Sequence, residues 1–344
     1  MPASTTIGLF SLLDHLRDPV TGRESTTAER LREVIEQGVL AERAGFAGFG
    51  VGEHHFSGYV LSNPSLMLAG LATRTSRIRL FTAVTLLACR DPIGLAEDIG
   101  ILDSLCQGRL ELTFARGVSW EAARVFGIDH DNVYRVMAEK LDLLLEVLAT
   151  GRITVAGSGK PEGREVAVVP RPVQRPRPPL WIGGGLHLES CNLAIERGLP
   201  LMLPSLFRHP EDYLPLVNQY REGMAAAGRS HLTRVAMPSY CWVAKNSQDA
   251  RRTWQPRLEG YVSFAQSLRD GHGRPLDFDS LLSGPAICGS PAEVRDRIAA
   301  INEAMNLDDH ILMMDLGGVP LDELSDAIAL MGSDVLPSFH PSPP

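Results

Sequence analysis

The 344-residue sequence predicts an α/β fold, a single (β/α)8 TIM barrel. Three observations carry this: eight short apolar runs of strand character, helical patterns alternating with them, and Gly or Pro at the junctions. Strands that are apolar throughout belong to a parallel sheet covered on both faces. Eight such units close a barrel. Barrels of this length fold as one unit, so one domain is expected over residues 1–344, with a flexible Pro-rich tail at 338–344.

Thr6–Phe10 opens the chain as a strand. After the polar loop Asp18–Ser25, a helix runs through Leu31, Val34, Ile35, Val39 and Leu40 and stops at Gly45. Strand Phe46–Val51 leads to helix Pro64–Thr75, and strand Ile78–Val84 to helix Pro92–Cys106. Strand Leu110–Ala115 connects through a loop to a long helix near Tyr134–Leu148. The stretch Pro161–Pro179, rich in Pro and Arg, reads as an extended connector crossing the barrel rim, although its composition also suits a partner-binding segment. Strand Leu180–Gly183, helix Glu189–Arg197, strand Leu201–Leu203, helix Glu211–Ala226 and strand Val235–Val243 follow. The polar segment Leu258–Gly284 is expected to be a long loop insertion before the last strand. With Gly260, Gly271, Gly273 and Gly284 it has the composition of an active-site lid, or of a plain surface excursion. Helix Pro291–Met305, strand Ile311–Asp315 and helix Leu321–Met331 complete the count.

Composition narrows the class of function. With 44% hydrophobic and 22% charged residues the chain has the apolar content for a large core. A net charge of -8 argues against nucleic acid or an anionic membrane as the main partner. The five cysteines (Cys89, Cys106, Cys191, Cys241, Cys288) are scattered and contain no CxxC pair, which suits reduced thiols rather than a disulfide framework or a zinc site. No apolar run approaches the ~18 residues of a membrane span. No basic stretch precedes an apolar leader. A cytoplasmic protein is expected.

In this fold, chemistry sits at the C-terminal ends of strands. The second strand ends in Gly52-Glu53-His54-His55-Phe56, an acid beside two histidines suited to proton transfer or hydrogen bonding. Neighbours on extended backbone point opposite ways, so His54 and His55 do not chelate one ion readily, and no metal site is expected. The fourth strand ends in Ala115-Arg116-Gly117. The fifth ends in Gly183-Gly184-Gly185, just ahead of a helix bearing Glu189 and Ser190. Glycines admit a phosphate to the backbone, a helix start offers free N–H groups, and a guanidinium binds phosphate bidentately. The pattern is neither a dinucleotide fingerprint nor a Walker loop.

Glu53-His54-His55-Phe56, Ala96-Glu97-Asp98 through Leu102-Asp103 to Gly108-Arg109, Arg116-Gly117, Val125-Phe126-Gly127, Glu196-Arg197-Gly198-Leu199-Pro200 and Cys288-Gly289-Ser290-Pro291 together resemble the bacterial luciferase-like flavin-dependent monooxygenases. The resemblance runs from the first strand to the last helix. It implies FMN as cofactor, used as FMNH2 supplied by a separate flavin reductase. It also implies O2 and an organic small molecule as substrates, with one oxygen atom inserted through a flavin C4a-hydroperoxide. His54 matches the family's catalytic histidine and Glu53 an acid near the flavin ring. Ala83-Val84 matches a pair joined by a cis peptide against the ring system. Arg116 matches the phosphate-binding arginine and Ser190 a hydroxyl on the phosphate. Ser119, Gly184, Gly185, Leu186 and His187 complete the implied cofactor site. His187 stands where many members have serine. Ala115 and Ala122 stand where light-emitting subunits carry a cysteine and an acid, which sets bioluminescence apart from flavin binding. The family pairs through the helices Pro64–Thr75 and Pro92–Cys106, so a homodimer is implied. An F420-dependent oxidoreductase, a non-catalytic luciferase β-like subunit and a barrel acting on another phosphorylated substrate remain alternatives. The retained His54 weighs against the β-like subunit.

Overall fold

Each strand of the barrel is short and almost wholly buried, which is why it reads as an apolar run. A computed structural model describes residues 5–117, 120–155, 163–185, 188–268 and 277–339. The strands are β1 (Thr6–Ser11), β2 (Gly48–Val51), β3 (Arg79–Thr82), β4 (Thr85–Leu86), β5 (Leu110–Ala115) and β6 (Arg152–Val155). They continue with β7 (Arg164–Ala167), β8 (Leu180–Gly183), β9 (Leu201–Met202), β10 (Val235–Val243), β11 (Ala286–Gly289) and β12 (Asp309–Met313). Eight of them, β1, β2, β3, β5, β8, β9, β10 and β12, pair in parallel in that order, and β10 closes the ring by pairing with both β9 and β12. This is the closed barrel the sequence predicts.

The helices around it are α1 (Thr27–Ala44), α2 (Pro64–Ala72), α3 (Pro92–Leu105), α4 (Trp120–Val125), α5 (Val133–Thr150) and α6 (Leu188–Arg197). After them come α7 (Leu214–Ala226), α8 (Ser247–Ser267), α9 (Phe278–Ser283), α10 (Pro291–Met305) and α11 (Leu321–Asp334). Their starts follow from local chemistry. Thr26 with Glu29 and Ser290 with Glu293 form reciprocal capping boxes on α1 and α10, while Asn63 and Asp91 cap α2 and α3 ahead of Pro64 and Pro92.

Inside the barrel, β1 and β2 give way to one large ring. A Cβ at Gly50 would lie 2.1 Å from the Phe81 ring, and one at Gly48 3.0 Å, so only glycine admits Phe81 there. At the N-terminal end of the barrel, Arg79 bonds Glu111 at 3.0 Å and Asp309 at 2.7 Å. Arg234 also bonds Asp309, and its guanidinium lies 4.5 Å from the centroid of Trp181. This charged ring closes the floor and leaves the opposite end for chemistry.

Several expectations need correction. Leu258–Gly284 is not a long loop. Residues through Ser267 continue α8, Phe278–Ser283 is α9, and 269–276 lie outside the described residues, with Gly271 and Gly273 among them. Gly260 therefore sits within a helix rather than in a lid. α8 tolerates Pro256 because its inner face buries Trp254, Leu258, Tyr261, Val262 and Ala265, and tertiary burial outweighs one lost hydrogen bond. The third strand breaks at Ala83–Val84, whose peptide is cis, and resumes as β4. The last strand begins two residues earlier than Ile311 and ends at Met313, leaving Asp315 in the loop beyond it. The connector is not extended throughout, since Arg164–Ala167 is β7 of a hairpin with β6. Gln174 bonds Asp103 of α3, and Arg171 bonds the carbonyls of Leu148 and Ala149 at the end of α5. Of the tail 338–344, only Ser338 and Phe339 fall within the described residues.

Candidate functional site

The loop after β2 holds the acid and both histidines, and it sends them in different directions. Glu53 is 3% exposed. One carboxylate oxygen accepts the Leu86 N–H at 3.2 Å; the other lies 2.8 Å from His55 Nε2 and 3.1 Å from Arg90. Glu53 thus ties its own loop to the turn after β4, and Lys140 fixes that turn by donating to the carbonyls of Ala88 and Arg90. Burial lowers the Lys140 ammonium below its ordinary value. His55 packs its ring against Phe56 and Phe126. His54 turns the other way and stacks on Tyr59, with ring centroids 3.9 Å apart and planes 18° apart.

Two strands round the barrel mouth from β2, Arg116 follows β5. Its guanidinium lies 5.2 Å from the ring centroid of Tyr134, and among the described residues it pairs with no carboxylate. Ser190, 2% exposed in the first turn of α6, donates to the Tyr134 hydroxyl at 3.2 Å. Tyr134 therefore joins the predicted cation to the predicted hydroxyl. Nothing in its local sequence marks it, since an aromatic at a helix start reads as core. Arg116 also lines a small pocket with Leu86, Gly117, Ala122, Ala123, Val133 and Cys89. Burial, then the nearby Glu53, raises the Cys89 thiol above its ordinary value, so it is no thiolate nucleophile.

Gly183 brings the two sides together. A Cβ there would meet Ala115 at 3.1 Å and Val84 at 3.2 Å, so the end of β8 lies directly against the cis Ala83–Val84 peptide and β5. The N–H of Gly184 donates to Met202 within the sheet at 2.9 Å. That N–H is spent within the sheet. Gly185 lies half-buried just before α6. Ser119, Leu186 and His187 lie outside the described residues. Among those residues no group of three or more His, Cys, Asp or Glu is set to hold a metal ion, and no helix is long and apolar enough to cross a membrane.

The chain as a whole is matched in known proteins. The model of the luciferase-like monooxygenases matches residues 5–307. The chain belongs to that family. It is therefore an enzyme of the monooxygenase class. The flavin-dependent trigonelline monooxygenase oxygenase component of Acinetobacter baylyi is 24% identical over 97% of this chain and 96% of its own. The crystal structure of monooxygenase RslO1 from Streptomyces bottropensis superposes with a TM-score of 0.85 at 26% identity, covering 98% of this chain and 100% of that one. Two more distant structures share the fold at 18% identity. One is the oxygenating constituent of 3,6-diketocamphane monooxygenase from Pseudomonas putida in complex with FMN, with a TM-score of 0.80 over 98% of this chain and 99% of that one. The other is the coenzyme F420-dependent tetrahydromethanopterin reductase of Methanopyrus kandleri, with a TM-score of 0.72 over 98% and 100%.

Proposed function

We propose that the enzyme binds FMN and, with FMNH2 delivered by a separate reductase, transfers one oxygen atom from O2 to a small organic substrate. The observation that carries this is the Arg116–Tyr134–Ser190 arrangement at the start of α6. A half-buried guanidinium with no carboxylate partner among the described residues, beside a hydroxyl chain and a helix N-terminus, fits a phosphate monoester. Arg116 and Ser190 would hold the phosphate, and Gly185 would let it approach the backbone. Bound reduced flavin supplies the activation of O2. The protein's own part is to position, to exclude water and to hold a proton. Small and apolar side chains (Leu86, Ala122, Ala123, Val133) line the pocket beside Arg116 and keep it poor in water. His54 holds the proton, backed by Tyr59, while Glu53 and His55 brace the loop that carries it.

F420 demands more cations for its acidic tail, and among the described residues Arg116 is the one cation lining this pocket. Arg116→Ala is expected to weaken FMN binding about 10- to 100-fold, the loss of a charged hydrogen bond of ~1.5–3 kcal/mol. Riboflavin, lacking the phosphate, should bind both proteins alike. Flavin fluorescence titration measures both. FMN affinity unchanged by the substitution moves the phosphate elsewhere, and binding of F420 in place of FMN replaces the reading altogether.

A homodimer through α2 and α3 belongs to the same reading. Most of the apolar residues expected there, including Met67, Leu68, Leu71, Leu95, Ala96 and Ile99, are buried against the barrel. What they leave outside is Leu66 at 72% exposure, Ile101 at 48% and Leu105 at 45%, a face suited to a second copy. Light scattering at micromolar concentration should give twice the chain mass, and Leu66→Glu should halve it. A wild-type monomer rejects the dimer. Five cysteines without a disulfide among them fit the reducing cytoplasm.

A further inference from the structure

The ring beneath His54 is held more firmly than packing requires. Tyr59 is 8% exposed, and its hydroxyl meets that of Tyr261 at 3.0 Å. Tyr261, 1% exposed on α8, packs edge-on against Tyr240 of β10 at 5.8 Å and Phe264 at 6.5 Å. The backbone of the Tyr59 loop is fixed as well. Asp14 and Tyr59 form an antiparallel bridge, the Val60 N–H donates to the Leu13 carbonyl, and the His54 N–H donates to the Leu61 carbonyl at 2.9 Å.

Phenylalanine would satisfy a core built for packing alone. Paired hydroxyls add direction, because the bond fixes the tilt and in-plane position of a ring that apolar contact leaves looser. A stacked imidazole inherits that fixed plane. The negative face of the phenol also favours an imidazolium above it.

We propose that Tyr59, anchored by the Tyr261 hydroxyl, is the positioning residue for His54 and sets the direction in which its ring nitrogens point into the barrel mouth. This rests on the reading of His54 as the proton-holding group. It makes α8, remote from the cofactor pocket in sequence, part of the apparatus that aligns the proton.

Two measurements test it. The first uses the cofactor-free protein, with NMR of ring-labelled histidines and His54 identified by its loss in His54→Ala. Stacking on Tyr59 shifts the His54 ring protons upfield. Tyr59→Leu should abolish that shift and Tyr59→Phe should keep it. The second reads the fraction of consumed FMNH2 that ends as product rather than H2O2. Tyr59→Leu should lower it about 10-fold, as misplacement of a reacting group does, with FMN affinity held within about twofold. Tyr59→Phe and Tyr261→Phe break the same bond. Each should give the same smaller loss, and the double variant should be no worse than either. These conservative variants also serve if the leucine protein does not fold. A His54 shift that survives Tyr59→Leu overturns the stacking. A lost shift with an unchanged product fraction overturns the positioning, and additive losses in the double variant overturn the role of the Tyr261 bond. Failure of the flavin reading shows separately, as absent FMN binding by the unaltered protein, and leaves the NMR result standing.

Discussion

Replacing His54 by alanine should leave FMN affinity intact and lower product formation by about 10²-fold or more, the scale of a positioned acid–base group. More of the reducing equivalents should then appear as H2O2. The reasoning starts from placement. His54 follows the end of β2 at the barrel mouth, half-buried, with one face covered by Tyr59. Imidazole is one of the few side chains able to hold or release a proton near neutral pH. His55 is the built-in control. It lies 2.8 Å from Glu53 and packs on Phe126, so His55→Ala should unseat the β2 loop and lower stability more than it changes chemistry. Rapid mixing of FMNH2, O2 and substrate, with product and peroxide both quantified, separates the two variants. Full turnover by the His54 variant would remove this residue from the mechanism.

The strands were legible because burial on both faces writes an uninterrupted apolar run, and Gly or Pro marks each end. Strand ends in turn pointed to Glu53, His54, Arg116 and Ser190. What escaped was whatever depends on distant partners. The face of α8 includes Arg257, fully buried, so burial there does not read as hydrophobicity, and Pro256 and Gly260 argue for a loop. The β6–β7 hairpin has an almost wholly exposed pattern and gives no periodic signal. Tyr134 reads as core until Arg116 and Ser190 are seen on either side of it. The role of Glu53 as a brace likewise depends on Arg90 and the Leu86 amide, more than thirty residues on.

Arg257 carries the second large effect. It is 0% exposed, reaches Asp18 at 2.8 and 2.9 Å, and reaches Glu323 at 2.7 and 3.1 Å. One guanidinium thereby pins α8 to the loop after β1 and to the start of α11. The backbone is built around it, since a Cβ at Gly317 would lie 2.5 Å from the Arg257 carbonyl. Burial alone would raise the Asp18 carboxyl, but hydrogen bonds from Arg257 and Thr21 hold it down at about 2. Removing the cation strands that carboxylate in the interior. Arg257→Met should therefore cost about 3–5 kcal/mol and lower Tm by roughly 4–7 °C. Arg257→Lys should rescue little, because a single ammonium does not reproduce a fork to two carboxylates. The pH dependence gives the sign. With its folded pKa below the ordinary 3.8, Asp18 contributes stability that is present above about pH 4 and lost as pH falls toward 2. Without Arg257 burial should raise the folded carboxyl instead, so protonation relieves the variant, and the gap in melting temperature between wild type and variant should narrow as pH falls from about 4 toward 2. A variant that melts like the wild type across that range would show that the ion pairs offset only their own desolvation.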